Sequence, residues 1–158
     1  MSAIAHYVHV HLAGSAAGID LFTRSGEGQL DGRIARMVLD IRDELVDERA
    51  RLQRMADALD VGESTVLTTA ARVGERIGRL KPNESLVHRT PLTDLVELEA
   101  MRDAVAGKIA GWQALLTVVD VRPELDRGEL DFLLAQGLEQ HDRLTAAHRD
   151  VAGRVLAP

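Results

Sequence analysis

The sequence predicts an all-α protein, a four-helix bundle with one short additional helix. Along four long segments apolar residues recur at alternating spacings of three and four, the period that lays a single stripe along an α-helix. Glycine, proline and capping side chains punctuate those segments where helices start and stop. Aromatic residues make up only 3% of a chain that is 46% hydrophobic, so the core is built from Leu, Val, Ile and Ala. Sheets draw more heavily on aromatic and β-branched side chains.

The first helix is expected from about Ala3 to Thr23, with Ile4, Val8, His11, Ser15, Ile19 and Phe22 on one face, and Ser25 to Gly28 ending it. The second runs from about Leu30 to Leu59 and carries Ile34, Val38, Ile41, Leu45, Glu48, Leu52, Met55 and Leu59. That is a bundle seam with a carboxylate in it. Gly62 stops this helix, and Ser64 can cap a short one whose stripe is Val66, Ala70, Val73, Ile77 and Leu80, broken at Lys81 to Asn83. Thr90 and Pro91 form a cap and first-turn pair for a helix reaching about Val119, with a seam of Leu95, Leu98, Arg102, Val105, Ile109, Trp112, Leu116 and Val119. Asp126 and Glu129 have the capping-box spacing and open the last helix, whose seam reads Leu130, Leu134, Gly137, His141, Leu144, His148, Val151 and Val155.

Short loops make the first two helices antiparallel neighbours, and the last two likewise. Between these hairpins, the stretch from Val61 to Thr90 is long enough to carry the chain back along the bundle, which is the connection of ferritin-like bundles rather than of simple up-down-up-down ones. Such a crossover puts His11, Glu44, Glu48, Glu99, Arg102, His141 and His148 at one level, within roughly two to three helical turns. These residues interrupt the apolar seams and form a candidate polar layer inside the bundle.

Composition excludes several classes of function. The chain of 158 residues suits a single domain spanning 1–158, large enough to bury a core without scaffolding metals. With no cysteine, disulfides, thiolate zinc sites, cysteine nucleophiles and iron–sulfur clusters are out. A net charge of −6 with no basic cluster argues against nucleic acid as a partner. The start lacks the basic, then apolar, pattern of a secretory signal, and no apolar run approaches the ~20 residues that span a bilayer. A cytoplasmic protein without a membrane partner is expected. No nucleophile elbow, phosphate-binding loop or dinucleotide fingerprint occurs.

The polar layer has two readings. In the first, Arg102 neutralises Glu48 or Glu99 while His11 and His148 complete a buried hydrogen-bond network, since buried charges have to be paired. In the second, Glu44, Glu48, Glu99, His11, His141 and His148 hold iron or manganese. Di-metal carboxylate bundles draw a Glu-x-x-His pair from each of two helices. Here Glu44 is followed by Leu45, Val46 and Asp47, and Glu139 by Gln140, His141 and Asp142, so neither copy is in register. An arginine beside the carboxylates also competes with a cation. His6 and His9 share a helical face but make only two ligands, and His88 has no evident partner.

Three glycine pairs repeat at a spacing of four, Gly14 with Gly18, Gly74 with Gly78, and Gly107 with Gly111. Each costs ~1 kcal/mol inside a helix, and close approach is the physical reason to accept that. Gly14 and Gly18 leave room near His11 for an imidazole, water or ligand. Gly107 and Gly111 turn away from the seam, where they can seat the short helix or a second subunit, so a homodimer is expected.

The segments His6 to Leu21, Val46 to Val61, Gly74 to Asn83 and Pro91 to Leu115 resemble, in order and spacing over almost the whole chain, a family of actinobacterial proteins of about this length in the ferritin-like superfamily. The resemblance implies a ferritin-like bundle and brings no established activity. From the wider superfamily it implies that Glu44, Glu48, Glu99, and Glu139 or His141 stand near ligand positions, with His11 or Asp20 replacing the usual glutamate of the first helix. The expected function is therefore a non-catalytic bundle acting by self-association or a protein partner, with a non-haem iron or manganese protein using oxygen or peroxide as the alternative.

Overall fold

The computed structural model describes residues 2–59 and 89–157, and among these the chain is helical throughout apart from short connections. Helix α1, Ala3–Gly28, is capped by Ser2, whose hydroxyl accepts from the Ala5 N–H at 3.3 Å. It runs past Thr23, and Ser25 and Gly26 are buried. A Cβ on Gly26 would lie 2.6 Å from Leu39 Cδ2. Gly26 lies inside the Ser25 to Gly28 stretch that ends the helix, and it is where α1 and its neighbour touch closely. The Gln29 N–H then donates to the Ser25 carbonyl at 2.9 Å.

Helix α2, Gly32–Ala58, starts after Leu30 because Asp31 is the cap, accepting from the N–H groups of Arg33 and Ile34 at 2.9 and 3.3 Å. Helix α3, Pro91–Leu116, opens on the expected Thr90 and Pro91, with Thr90 and Thr93 capping one another reciprocally. It stops at Leu116 rather than Val119, and a 3-10 turn, Val119–Val121, follows. Helix α4, Arg127–Leu156, is capped by Asp126, which accepts from the Glu129 N–H at 2.7 Å. The Glu129 carboxylate does not return the bond. It pairs across the bundle with Arg51 at 3.1 Å and Arg54 at 3.5 Å.

Helices α1 and α2 form one antiparallel hairpin, α3 and α4 another, and the hairpins meet with α1 on α3 and α2 on α4. Arg89 ties them together at the α1–α2 turn. It pairs with Asp94 at 2.7 Å and with Glu97, and donates to the Ser25 carbonyl at 3.5 Å, while Asp94 accepts from the Leu30 N–H at 3.0 Å. At the same end Arg33 pairs with Asp150 at 3.2 Å and Arg154 with Asp31 at 3.5 Å. Helices α2 and α3 therefore run in the same direction, and Leu59 and Arg89 lie at opposite ends of the bundle. The expected short helix over Val66 to Leu80 lies outside the described residues, with Gly62, Ser64, Gly74, Gly78 and His88. No described helix is long and apolar enough to cross a membrane.

The core falls into two apolar clusters. One, around Leu12, Leu52, Trp112 and Leu133, lies toward the α3–α4 turn. The other, around Phe22, Ile41, Leu98 and Leu144, lies toward the α1–α2 turn. Buried positions on α3 follow Leu98, Met101, Val105, Trp112 and Leu115, and on α4 Leu130, Leu133, Gly137, Gln140, Leu144 and Val151. Both seams thus sit one residue to the N-terminal side of the expected stripe at several positions. Met101 replaces Arg102, Leu133 replaces Leu134, and Gln140 replaces His141. On α1 the shift is in the opposite direction, and Leu12 replaces His11.

Candidate functional site

Between the two apolar clusters lies a layer of charged and polar side chains, centred on Glu48. Glu48 is 3% exposed and Gln140 is fully buried. The Lys108 ammonium donates to both carboxylate oxygens of Glu48, at 2.9 and 2.7 Å, and to Gln140 Oε1. From the other end of its amide, Gln140 Nε2 donates to Glu48 Oε1 and Glu44 Oε2, each at 2.8 Å. Arg143 closes the layer, its Nη2 donating to both oxygens of Glu44 at 2.8 and 2.7 Å.

The chemistry of the layer is self-consistent. Three acceptors around one lysine nitrogen require three N–H groups, which only the ammonium form supplies. The Gln140 amide has one orientation that faces its oxygen to the ammonium and its nitrogen to two carboxylates, and this is the one adopted. Two carboxylates and two cations sum to zero charge, the condition under which ions stay in a helical core. Burial pulls the Lys108 ammonium below the ordinary lysine range, and the Glu48 charge pushes it back in part.

Each helix contributes for a local reason. Glu44 and Glu48 are one turn apart on the inner face of α2, and Gln140 and Arg143 are three apart on α4, so each pair shares a face. Lys108 reaches across the bundle from α3 to α2. Gly137 packs against the same stretch of α3, where a Cβ would lie a tight 3.1 Å from Ile109 Cγ1 and in ordinary contact, 3.5 Å, with Lys108 Cε.

Of the seven residues expected in the layer, only Glu44 and Glu48 take part. Arg102 does not reach either predicted carboxylate; it contacts its neighbour Asp103 at 3.4 Å, because the α3 seam passes through Met101 and turns Arg102 outward. Glu99 is exposed and stands 3.7 Å from half-buried His148, a contact that becomes an ion pair only when the histidine is charged. His141 is half-buried beside Gln140 and outside the network. His11 lies against α3, its ring where a Gly111 Cβ would be, 2.6 Å from the imidazole Cε1, and 4.7 Å from the Tyr7 ring centroid. Gly111 thus faces inward, contrary to the outward surface expected of it, while Gly107 has no described residue within 4 Å of where its Cβ would stand. Glu139 and Asp20 are exposed and, among the described residues, engage only Arg143 at 3.9 Å and Arg24 at 3.2 Å respectively.

Among the described residues no group of three or more His, Asp or Glu side chains is placed to hold a metal ion. The donor set in the layer does not fit one either, because the cation position between Glu48 and Gln140 is filled by Lys108. His9 is buried with both ring nitrogens unpartnered among the described residues, whereas His6 is exposed, so the pair does not present two free imidazoles. Burial, and next the neighbouring His6, keep His9 below the ordinary histidine value, and burial alone does so for His11.

On α1 the layer's level carries Gly14, Ser15 and Gly18 instead of a long side chain, and a cavity of 490 Å³ lies there between α1, α2 and α3. Ser15 accepts from Arg49 Nη1 at 2.6 Å, and the same guanidinium nitrogen donates to the Leu12 carbonyl. Lys108, Gln140, Arg143 and Arg49 were all missed by the sequence reading. The available signal was a strict heptad through Leu98, Met101, Val105, Lys108, Trp112, Leu115 and Val119, apolar at every position except the lysine. Compared with known proteins, the chain matches no family model, no curated protein and no solved structure.

Proposed function

We propose that this chain is a cytoplasmic, ferritin-like bundle that performs no catalysis at its centre and acts by self-association or by binding a protein partner. The observation that carries this reading is Lys108, whose ammonium sits on both oxygens of Glu48 where a metal-dependent bundle would need a cation. A fixed charge on the protein supplies what an exchangeable ion would otherwise supply, and removes the open coordination position that oxygen chemistry requires. Parallel α2 and α3, joined from opposite ends of the bundle, support the ferritin-like part of the reading and accord with the sequence resemblance. Self-association finds support in the large apolar side chains left exposed near the α1–α2 turn, Leu30, Leu92, Val96 and Leu156.

Elemental analysis of protein purified from its own host without chelators tests the first part. The expected result is no stoichiometric iron or manganese and no oxidation of added ferrous iron. A stoichiometric metal that disappears on Glu48→Ala contradicts it and restores the non-haem metal alternative. For the second part, light scattering is expected to give twice the chain mass, falling to the monomer in a Leu92→Glu/Val96→Glu variant. A concentration-independent monomer in the unaltered protein removes the homodimer.

A further inference from the structure

We propose that the cavity between α1, α2 and α3 is a binding site for an aliphatic carboxylate, an unbranched apolar chain with one anionic head. Its volume of 490 Å³ falls within the ~300–1,000 Å³ of small-molecule sites. Leu21, Phe22, Leu45, Leu52 and Val105 give it apolar walls. Along α1 it extends from His11 to Phe22, roughly 17 Å at ~1.5 Å per residue, a shape suited to a chain rather than a compact ring.

The polar groups on the wall define the head. Lys108 is already neutralised by Glu48, and exposed Asp103 lies beside Arg102. Arg49 makes no ion pair among the described residues and donates only to the neutral oxygens of Ser15 and Leu12. Trp112, also on the wall, is 4% exposed, and its buried Nε1–H has no acceptor among the described residues. The cavity wall therefore carries a cation with no counter-ion among the described residues, which a carboxylate supplies and a cationic or purely apolar ligand does not. Small residues at Gly14, Ala17, Gly18, Ala104 and Gly107 keep the space open. This inference is independent of the metal-free reading, since binding is measured with no metal added.

Trp112 is the sole tryptophan of the chain, so its emission reports on the site directly. Titration with dodecanoate, below the concentration at which it forms micelles, is expected to give a saturable change with one site per chain. Arg49→Gln is expected to weaken dodecanoate by about tenfold or more, the scale of a lost charge-assisted hydrogen bond, while leaving dodecanol within about twofold. Gly18→Leu is expected to abolish binding of both, because Gly18 lines the cavity and nothing among the described residues lies within 4 Å of a Cβ at that position. A signal that never saturates, or a dodecanoate affinity unchanged in folded Arg49→Gln or Gly18→Leu protein, overturns the proposal. Equal weakening of dodecanol by Arg49→Gln overturns the assignment of the carboxylate head.

Discussion

Glu48 shows what a single residue can and cannot reveal before its neighbours are known. A glutamate in an otherwise apolar seam has to be paired, and that much follows from its desolvation cost alone. Its partner does not follow, because the choice between Arg102 and Lys108 turns on a rotation of α3 by one residue, about 100°. Hydropathy favours Ile109 over Lys108 at the seam, yet the lysine stem is itself apolar and its ammonium ends on Glu48. The histidines make the same point in reverse. His11 reads as a layer member, but it is Leu12 that enters the core, leaving the imidazole between α1 and Gly111. There burial holds His11 below its ordinary value of 6.5, and His9 is depressed in the same direction. The folded protein therefore favours the neutral rings, and the unfolded chain binds more protons below about 6.5. Stability is at its full value above that pH and falls as the pH drops through the depressed folded values. Urea unfolding at about pH 5 is expected to show lower stability than at about pH 7.5, and a His9→Leu/His11→Phe variant is expected to lose most of that difference.

At the scale of the helix, the sequence and the structure agree most closely where end signals are chemical and less closely where they rest on glycine. Thr90 with Pro91 and Asp126 read as helix starts, and both caps accept free N–H groups in the structure, although Glu129 does not return the bond; Asp31, which the sequence reading passes over, caps α2 in the same manner. The stretch Ser25 to Gly28 does end α1, but at its last residue, and the close contact of Gly26 with Leu39 offsets the cost of a glycine inside the helix. The two kinds of glycine separate experimentally. Gly26→Ala, whose Cβ meets Leu39 at 2.6 Å, is expected to destabilise by ~1–3 kcal/mol through overpacking. Gly107→Ala, with nothing among the described residues within 4 Å, is expected to stabilise by up to ~1 kcal/mol through helix propensity. Chemical denaturation of the two variants checks both signs, and a stabilising Gly26→Ala contradicts the close α1–α2 contact.

For the whole molecule, the legible part was the bundle and the pairing of its hairpins, since apolar period and loop length constrain both. The composition of the polar layer was less legible, because it depends on the relative rotation of three helices and a one-residue error in any of them exchanges a seam residue for its neighbour. Helix α2, whose seam was read in register, supplied both residues that were correctly placed. The Lys108–Glu48 pair links α2 to α3 across the bundle, and with Gln140 it couples the two hairpins at their middle as Arg89 does at one end. Removing the cation alone, as in Lys108→Met, leaves the buried Glu48 carboxylate uncompensated, so a loss of ~3–5 kcal/mol is expected. Glu48→Gln leaves Lys108 buried without its counter-charge, and a loss of similar order follows.

A double-mutant cycle on these two residues, read by urea unfolding at neutral pH, tests the central claim most directly. If Lys108 is the cation that neutralises Glu48, the Lys108→Met/Glu48→Gln protein loses less than the two single losses combined, with a coupling of at least ~1 kcal/mol. Additive losses would mean that the two side chains do not neutralise one another, and would return the centre of the bundle to some other cation.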